Sequence, residues 1–201
     1  MYRGNGPRIV PIIVIILVVV LIVAGLVSVG RLILGGRSTS QTAQTGGDDF
    51  RSQMLDTSAG HSVRLTVRGP IVADEDFRSY QITISPTSRD YVLYHGYADV
   101  TGVDNSYSNN KAAYEQFVYA LDKSNASVVR AGGDSEDLRG ACATGNTFKF
   151  DVLSGSKVEQ TVWTSTCSGS LGTMTASPAL MQRLFDAQIP NFTAPFATAL
   201  Q

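Results

Sequence analysis

From Ile9 to Gly30 the chain carries no charge, and from Ile12 to Val23 every side chain is apolar. A surface helix would show a polar stripe at the roughly 3.6-residue helical period, and this run has none. At about 1.5 Å per residue the block makes a helix of roughly 33 Å, against a bilayer hydrocarbon core of about 30 Å. A transmembrane helix is therefore predicted over 9–30, behind a short tail at 1–8. Arg3 and Arg8 have the look of a secretory n-region, and Ser28 with Gly30 offers a small-x-small cleavage site. The apolar stretch nevertheless exceeds the about 7 to 15 residues of a cleaved signal, so an uncleaved signal anchor is expected.

Beyond the block the pattern changes. Gly35 to Gly60 is rich in Gly, Ser, Thr and Gln and shows no core-forming period, which predicts a flexible tether over 31–61. Within it Phe50, Met54 and Leu55 suffice for no more than a short helical turn. From Ser62, Val63, Leu65 and Val67 alternate with Arg64, Thr66 and Arg68, the two-residue period of a half-buried strand that Gly69 and Pro70 end. Tyr80, Ile82 and Ile84, the turn Ser85-Pro86-Thr87-Ser88 and the run Asp90 to His95 predict a hairpin. Asp104 to Asn110 is polar and is expected to be a loop. Asn110 then caps a helix with Tyr114, Phe117, Val118 and Leu121 on one face.

A second hairpin is predicted from Thr147 to Thr166, turning at Ser154-Gly155-Ser156. A second helix follows, with Ser177 as N-cap, Pro178 at its first position and Leu180, Met181, Leu184 and Phe185 as its apolar face. Asn110 and Ser177 are separated by about the same interval as the two hairpin starts, which raises a hairpin-helix repeat, although residue identities do not repeat. The expected fold is α+β: a small antiparallel sheet with two packed helices over 62–192, and a loose tail over 193–201.

Charge and cysteine content bear on topology. Arg3 and Arg8 precede the apolar block and Arg31 and Arg37 follow it, so local Arg counting nearly ties. Every Asp and Glu, and both cysteines, lie after the block. Cys142 and Cys167 suit one disulfide in an oxidising compartment, and no Cys stands where a lipoprotein anchor needs one. The N-terminus is therefore expected in the cytoplasm and the C-terminal domain outside the cell membrane, with lipid as the partner of the apolar helix. Of the 16 Lys and Arg, four precede Ser38, which leaves 12 basic against 17 acidic residues, a net of -5. Nucleic-acid binding has no electrostatic support.

Candidate chemistry is sparse. His95, among Tyr94 and Tyr97, could serve a hydrolytic triad, but the nucleophile-elbow pattern G-x-S-x-G is missing and strand-end histidines commonly pack or face solvent. His61 lies in the tether. Asp134, Glu136 and Asp137 offer carboxylates to calcium without EF-hand spacing, and together with Asp74, Glu75 and Asp76 are expected to be solvated loop residues. Arg64, Arg68, Arg78 and Arg89 are candidates for one sheet face, where charge serves solubility and edge protection. No catalytic, cofactor or metal site is expected; the one assigned pair is Cys142 with Cys167.

The anchor, the tether and the segments ISPTSRDYVLYHGYADV and NNKAAYEQFVYALDKS, at 84–100 and 109–124, resemble in layout the uncharacterised single-pass membrane-anchored surface proteins of ultrasmall, reduced-genome bacteria. The resemblance implies no site residue and no activity. The functional expectation is a membrane-tethered extracytoplasmic binding or structural module, not an enzyme, whose partner is an extracytoplasmic protein or an envelope component. The contrasting expectations are a cell-envelope hydrolase using His95 and a subunit of a surface assembly. Against the last, the apolar helix lacks the acidic residue usual in type IV pilins.

Overall fold

The computed structural model describes residues 45–133 and 137–196. The expected tail 1–8, the signal anchor 9–30, the tether up to residue 44, Asp134 to Glu136 and the final residues 197–201 lie outside these. Among the described residues no helix is long and apolar enough to cross a membrane.

Six strands form one antiparallel sheet: β1 (His61–Arg68), β2 (Arg78–Ile84), β3 (Ser88–His95), β4 (Val100–Ser108), β5 (Thr147–Ser154) and β6 (Lys157–Ser165), in the order β4-β3-β2-β1-β5-β6. The alternation in β1 sets the register. Val63, Leu65 and Val67 lie opposite Ile84, Ile82 and Tyr80 on one side and opposite Val152, Phe150 and Phe148 on the other. All nine are buried, which makes one apolar face. Three helices cover that face: α1 (Thr45–Met54), α2 (Lys111–Lys123) and α3 (Pro178–Asp186). Phe117 and Phe185 meet edge to face at 5.0 Å, and Phe185 and Phe50 each lie 6.1 Å from Phe150. The result is a two-layer α+β domain in which, among the described residues, the helices lie on one side of the sheet.

Both hairpins form where the alternation places them. At the first turn Ser85 Oγ accepts from the Thr87 and Ser88 amides at 3.2 and 2.8 Å, so the serine closes the turn as much as Pro86 does. Asn110 caps α2, its Oδ1 accepting from Ala113 N at 2.9 Å, and Ser177 caps α3 with Pro178 next to it.

Four features differ from the sequence expectation. The folded part begins before residue 62, because α1 buries Phe50 and Met54 in the core and Arg51 holds Asp122 of α2 through two 2.7 Å bonds; the helices packed on the sheet are thus three among the described residues, not two. Residues expected as a polar loop from Asp104 form most of β4, hydrogen-bonded along β3. On α3, Gln182 is buried and Leu180 is 38% exposed. The Gln182 amide donates to Tyr80 Oη at 2.9 Å, which satisfies part of a polar group that burial would otherwise penalise. Finally, Phe196 in the expected loose tail packs 5.8 Å from the Tyr80 ring. The two hairpins do flank β1, each followed by a helix, but β4 is present only in the first of these units.

Asp186 ends α3 beside this cluster, accepting from Tyr80 Oη at 3.3 Å. Burial is the main cause that raises its pKa to about 7, partly offset by hydrogen bonds from Tyr80 and Gln182. Its place at a helix C-terminus also disfavours the anion. The folded state therefore keeps this proton while the unfolded chain, near 3.8, has lost it. Stability from this group is greatest below the unfolded value and falls as pH rises to the folded one. Asp186→Asn is expected to raise stability at pH 7.5 by about 1 to 2 kcal/mol, allowing for partial solvent exposure, and to change it little near pH 4. Urea midpoints of both proteins at the two pH values check this; equal differences at both would refute it.

Candidate functional site

The face of the sheet opposite the helices is polar. Register places Arg64, Thr66 and Arg68 of β1 across from Thr83, Gln81 and Ser79 of β2 and across from Asp151, Lys149 and Thr147 of β5. Two loops rise from one end of this face and turn it into a cavity of about 570 Å³, within the size range of small-molecule sites. The floor is Arg64, Thr66, Arg68, Gln81, Thr147 and Lys149. One wall is Ile71, Phe77 and Tyr97; the other is the turn from Asp137 to Cys142.

Each wall is tied down. Phe77 and Tyr97 stack at 4.1 Å with their planes 14° apart, and the Arg68 guanidinium lies 4.9 Å from the Phe77 centroid. Tyr97 Oη donates to Val72 O at 2.8 Å and accepts from Val72 N at 3.1 Å. Asp74 Oδ1 accepts from Tyr97 N at 2.8 Å, so this acidic residue organises the wall, where sequence placed it as a solvated loop residue. The opposite wall ends at Cys142, which with Cys167 lies at disulfide distance, Sγ to Sγ 2.03 Å and Cα to Cα 5.6 Å. The bridge ties the wall to the chain leaving β6. Gly145 sits behind it, where a Cβ would come within 2.2 Å of Thr166 Oγ1. The two loops join where Ile71 N donates to Ala143 O at 2.9 Å.

The floor is organised around Asp151, whose side chain is fully buried. Its Oδ2 accepts from Arg64 Nε and Nη2 at 3.0 and 2.7 Å, and its Oδ1 accepts from Thr161 Oγ1 at 2.7 Å and lies 3.2 Å from Lys149 Nζ. One carboxylate thus orients two cations, and both of its oxygens are satisfied, as a buried charge requires. Among the described residues the carboxylate paired with Arg68 is that of Asp99, at 3.7 Å. On the rim Arg139 donates from Nε to Asp137 Oδ1 at 2.8 Å, and its hydrogen bonds hold the Asp137 carboxyl down at about 2.

Of the residues considered from sequence, Arg64 and Arg68 come together here. Arg78 and Arg89 do not: Arg78 donates to the carbonyls of Glu75 and Phe77, and Arg89 to those of Ser108 and Gln188. His95 sits with the alternation of Tyr91 and Leu93, on the helix side of the sheet, its ring against Gly102, where a Cβ would come within 2.2 Å of it. His61 Nε2 lies 3.3 Å from Asp56 Oδ2. Asp134 and Glu136 of the acidic loop are outside the described residues, and among the described residues no cluster of three or more His, Cys, Asp or Glu is placed to hold a metal.

Sequence reading missed Lys149, Gln81 and both aromatic wall residues. The available signal was the alternation Thr147, Lys149, Asp151 on β5, which repeats the charged parity of β1. Set against known proteins, the chain matches no family model and no curated sequence.

Proposed function

We propose that the chain is a membrane-tethered extracytoplasmic binding module and that its ligand sits in the cavity on the open face of the sheet. The observation that carries this reading is the construction of that cavity: an oriented polar floor on rigid strands and two pinned walls, one held by the disulfide. Preorganised polar groups in a concave, partly apolar site favour binding because little ordering is left to do when a ligand arrives. The charge-free block from Ile9 to Gly30 supports anchoring in lipid, and the disulfide supports an oxidising compartment. The net of -5 from Ser38 onward speaks against a nucleic-acid partner.

The test of the topology is labelling of intact cells with a membrane-impermeant maleimide, with and without prior reduction. Labelling of Cys142 and Cys167 only after reduction is the expected result. Labelling that needs permeabilisation and no reductant would place free thiols in the cytoplasm and end this reading. A second reading, a subunit of a surface assembly, draws on β4, which lies at the sheet edge with Val100 62% and Val103 39% exposed. Ladders on crosslinking of intact cells, lost on placing Pro within β4, would favour it.

A further inference from the structure

We infer that the open-face cavity selects a small amphiphilic anion, a carboxylate carried on an aromatic or branched apolar body; this rests on the cavity being the ligand site.

The first support is charge balance. Arg64 and Lys149 share the single charge of Asp151, so one positive charge on the floor has no counter-charge from that carboxylate. Arg68 adds a second, whose one ion-pair partner among the described residues is Asp99 at 3.7 Å, and Asp99 is half exposed to water. Arg68 lies opposite Thr147, and Lys149 opposite Thr66. The two cations are thus diagonal neighbours, with Cα atoms roughly 7 to 8 Å apart, and the two threonines complete the square between them. That spacing lets one carboxylate take a guanidinium on one side and an ammonium on the other, with hydroxyl donors beside it. Held over Phe77 and Asp151, both cations are fixed before the ligand arrives, so less side-chain entropy is lost on binding.

The second support is the wall. Ile71 and Tyr97 are large apolar side chains left 50% and 42% exposed at the cavity, although their anchoring is otherwise complete. An apolar body leaning on them removes that surface from water while the carboxylate reaches the floor. A bare anion leaves this surface wet, and a neutral apolar molecule adds no counter-charge to Arg68 and Lys149.

The test uses the full chain in phosphatidylcholine nanodiscs, with three probes followed through the amide NMR signals of Thr66, Gln81 and Thr147. The probes are N-acetylphenylalanine, its uncharged amide and inorganic phosphate. The acid is expected to shift these signals with an affinity at least tenfold above that of the amide and of phosphate. Arg68→Gln should bring the acid down to the level of the amide, and so should Lys149→Gln; the first leaves Arg64, Lys149 and Asp151 in place, so folding is not at risk. Lys157→Gln, at the exposed start of β6, should change nothing. Equal shifts from acid and amide would overturn the charge selection while leaving the cavity a binding site. Phosphate binding as tightly as the acid would overturn the apolar component. No shift of floor signals by any probe at millimolar concentration would overturn the cavity as a ligand site altogether.

Discussion

A chain shortened to begin at Ser62 is expected to lose its cooperative thermal transition. The removed segment contains α1, whose Phe50 and Met54 are 1% and 0% exposed and belong to the same apolar core as β1, β5 and α3. Truncating a buried Phe to Ala typically costs about 3 to 5 kcal/mol, and a buried Met about 2 to 5. Both losses together are comparable with the entire stability of a typical domain, about 5 to 15 kcal/mol. The shortened chain also exposes the surface over Phe150 that Phe50 covered, and it strips Asp122 of its Arg51 partner. Near-ultraviolet circular dichroism should flatten while helical signal from α2 and α3 persists in part. The full-length Phe50→Ala, Met54→Ala double variant should fall between, because the helix backbone and the Arg51 contact remain. An unchanged melting midpoint in the shortened chain would show that α1 is an ornament on a core complete from residue 62.

The residues of α1 carry little helical signal of their own. TGGDDFRSQM has two glycines in its first turn, which disfavour helix, and carries only Phe50 and Met54, one turn apart, as apolar positions. Two residues make no stripe; they become a helix face only because the sheet offers them a place to bury. β4 went unread for the opposite reason. Its strand VTGVDNSYS contains Gly, Asp and Asn, poor strand formers, and apart from half-buried Tyr107 it is exposed on both faces, so no alternation marks it. It is a strand because β3 supplies hydrogen-bond partners. Val63, Leu65, Val67 and their partners in β2 and β5 were legible because one buried face imposes the two-residue period directly on the sequence.

The cavity lay between these cases. Half of its floor is written in β1, where Arg64, Thr66 and Arg68 occupy the non-core positions, and such residues on a strand look the same whether they face open water or a pocket. What separates the two outcomes is closure by segments remote in sequence: Phe77 and Tyr97 on one side, Asp137 to Cys142 on the other. Nothing local encodes their meeting. The exception is the cysteine pair, the only residues whose chemistry states a long-range contact in advance, and it is the pair that ties down the second wall.

Replacing both Cys142 and Cys167 with Ser should therefore act on stability and on the wall separately. With a sequence separation of 25, the loop-closure relation gives about 3.5 kcal/mol of stabilisation lost. For a domain of this size that corresponds to a fall in melting temperature of about 7 to 14 °C. The β1-β5 and β5-β6 ladders do not depend on the bridge, so the floor around Asp151 should keep its geometry. The wall should not: with Cys142 released, the Ile71 N to Ala143 O bond that joins the two loops loses its support, and the Ile71 amide should exchange with solvent far faster in the variant, while Leu65 in the middle of β1 slows or quickens only with global stability. Calorimetry and native-state hydrogen exchange on the full chain measure the two effects, and reduction of the wild-type protein should reproduce both. A large drop in melting temperature with unchanged relative exchange at Ile71 would mean that the bridge acts on the unfolded chain alone and that the cavity wall stands without it.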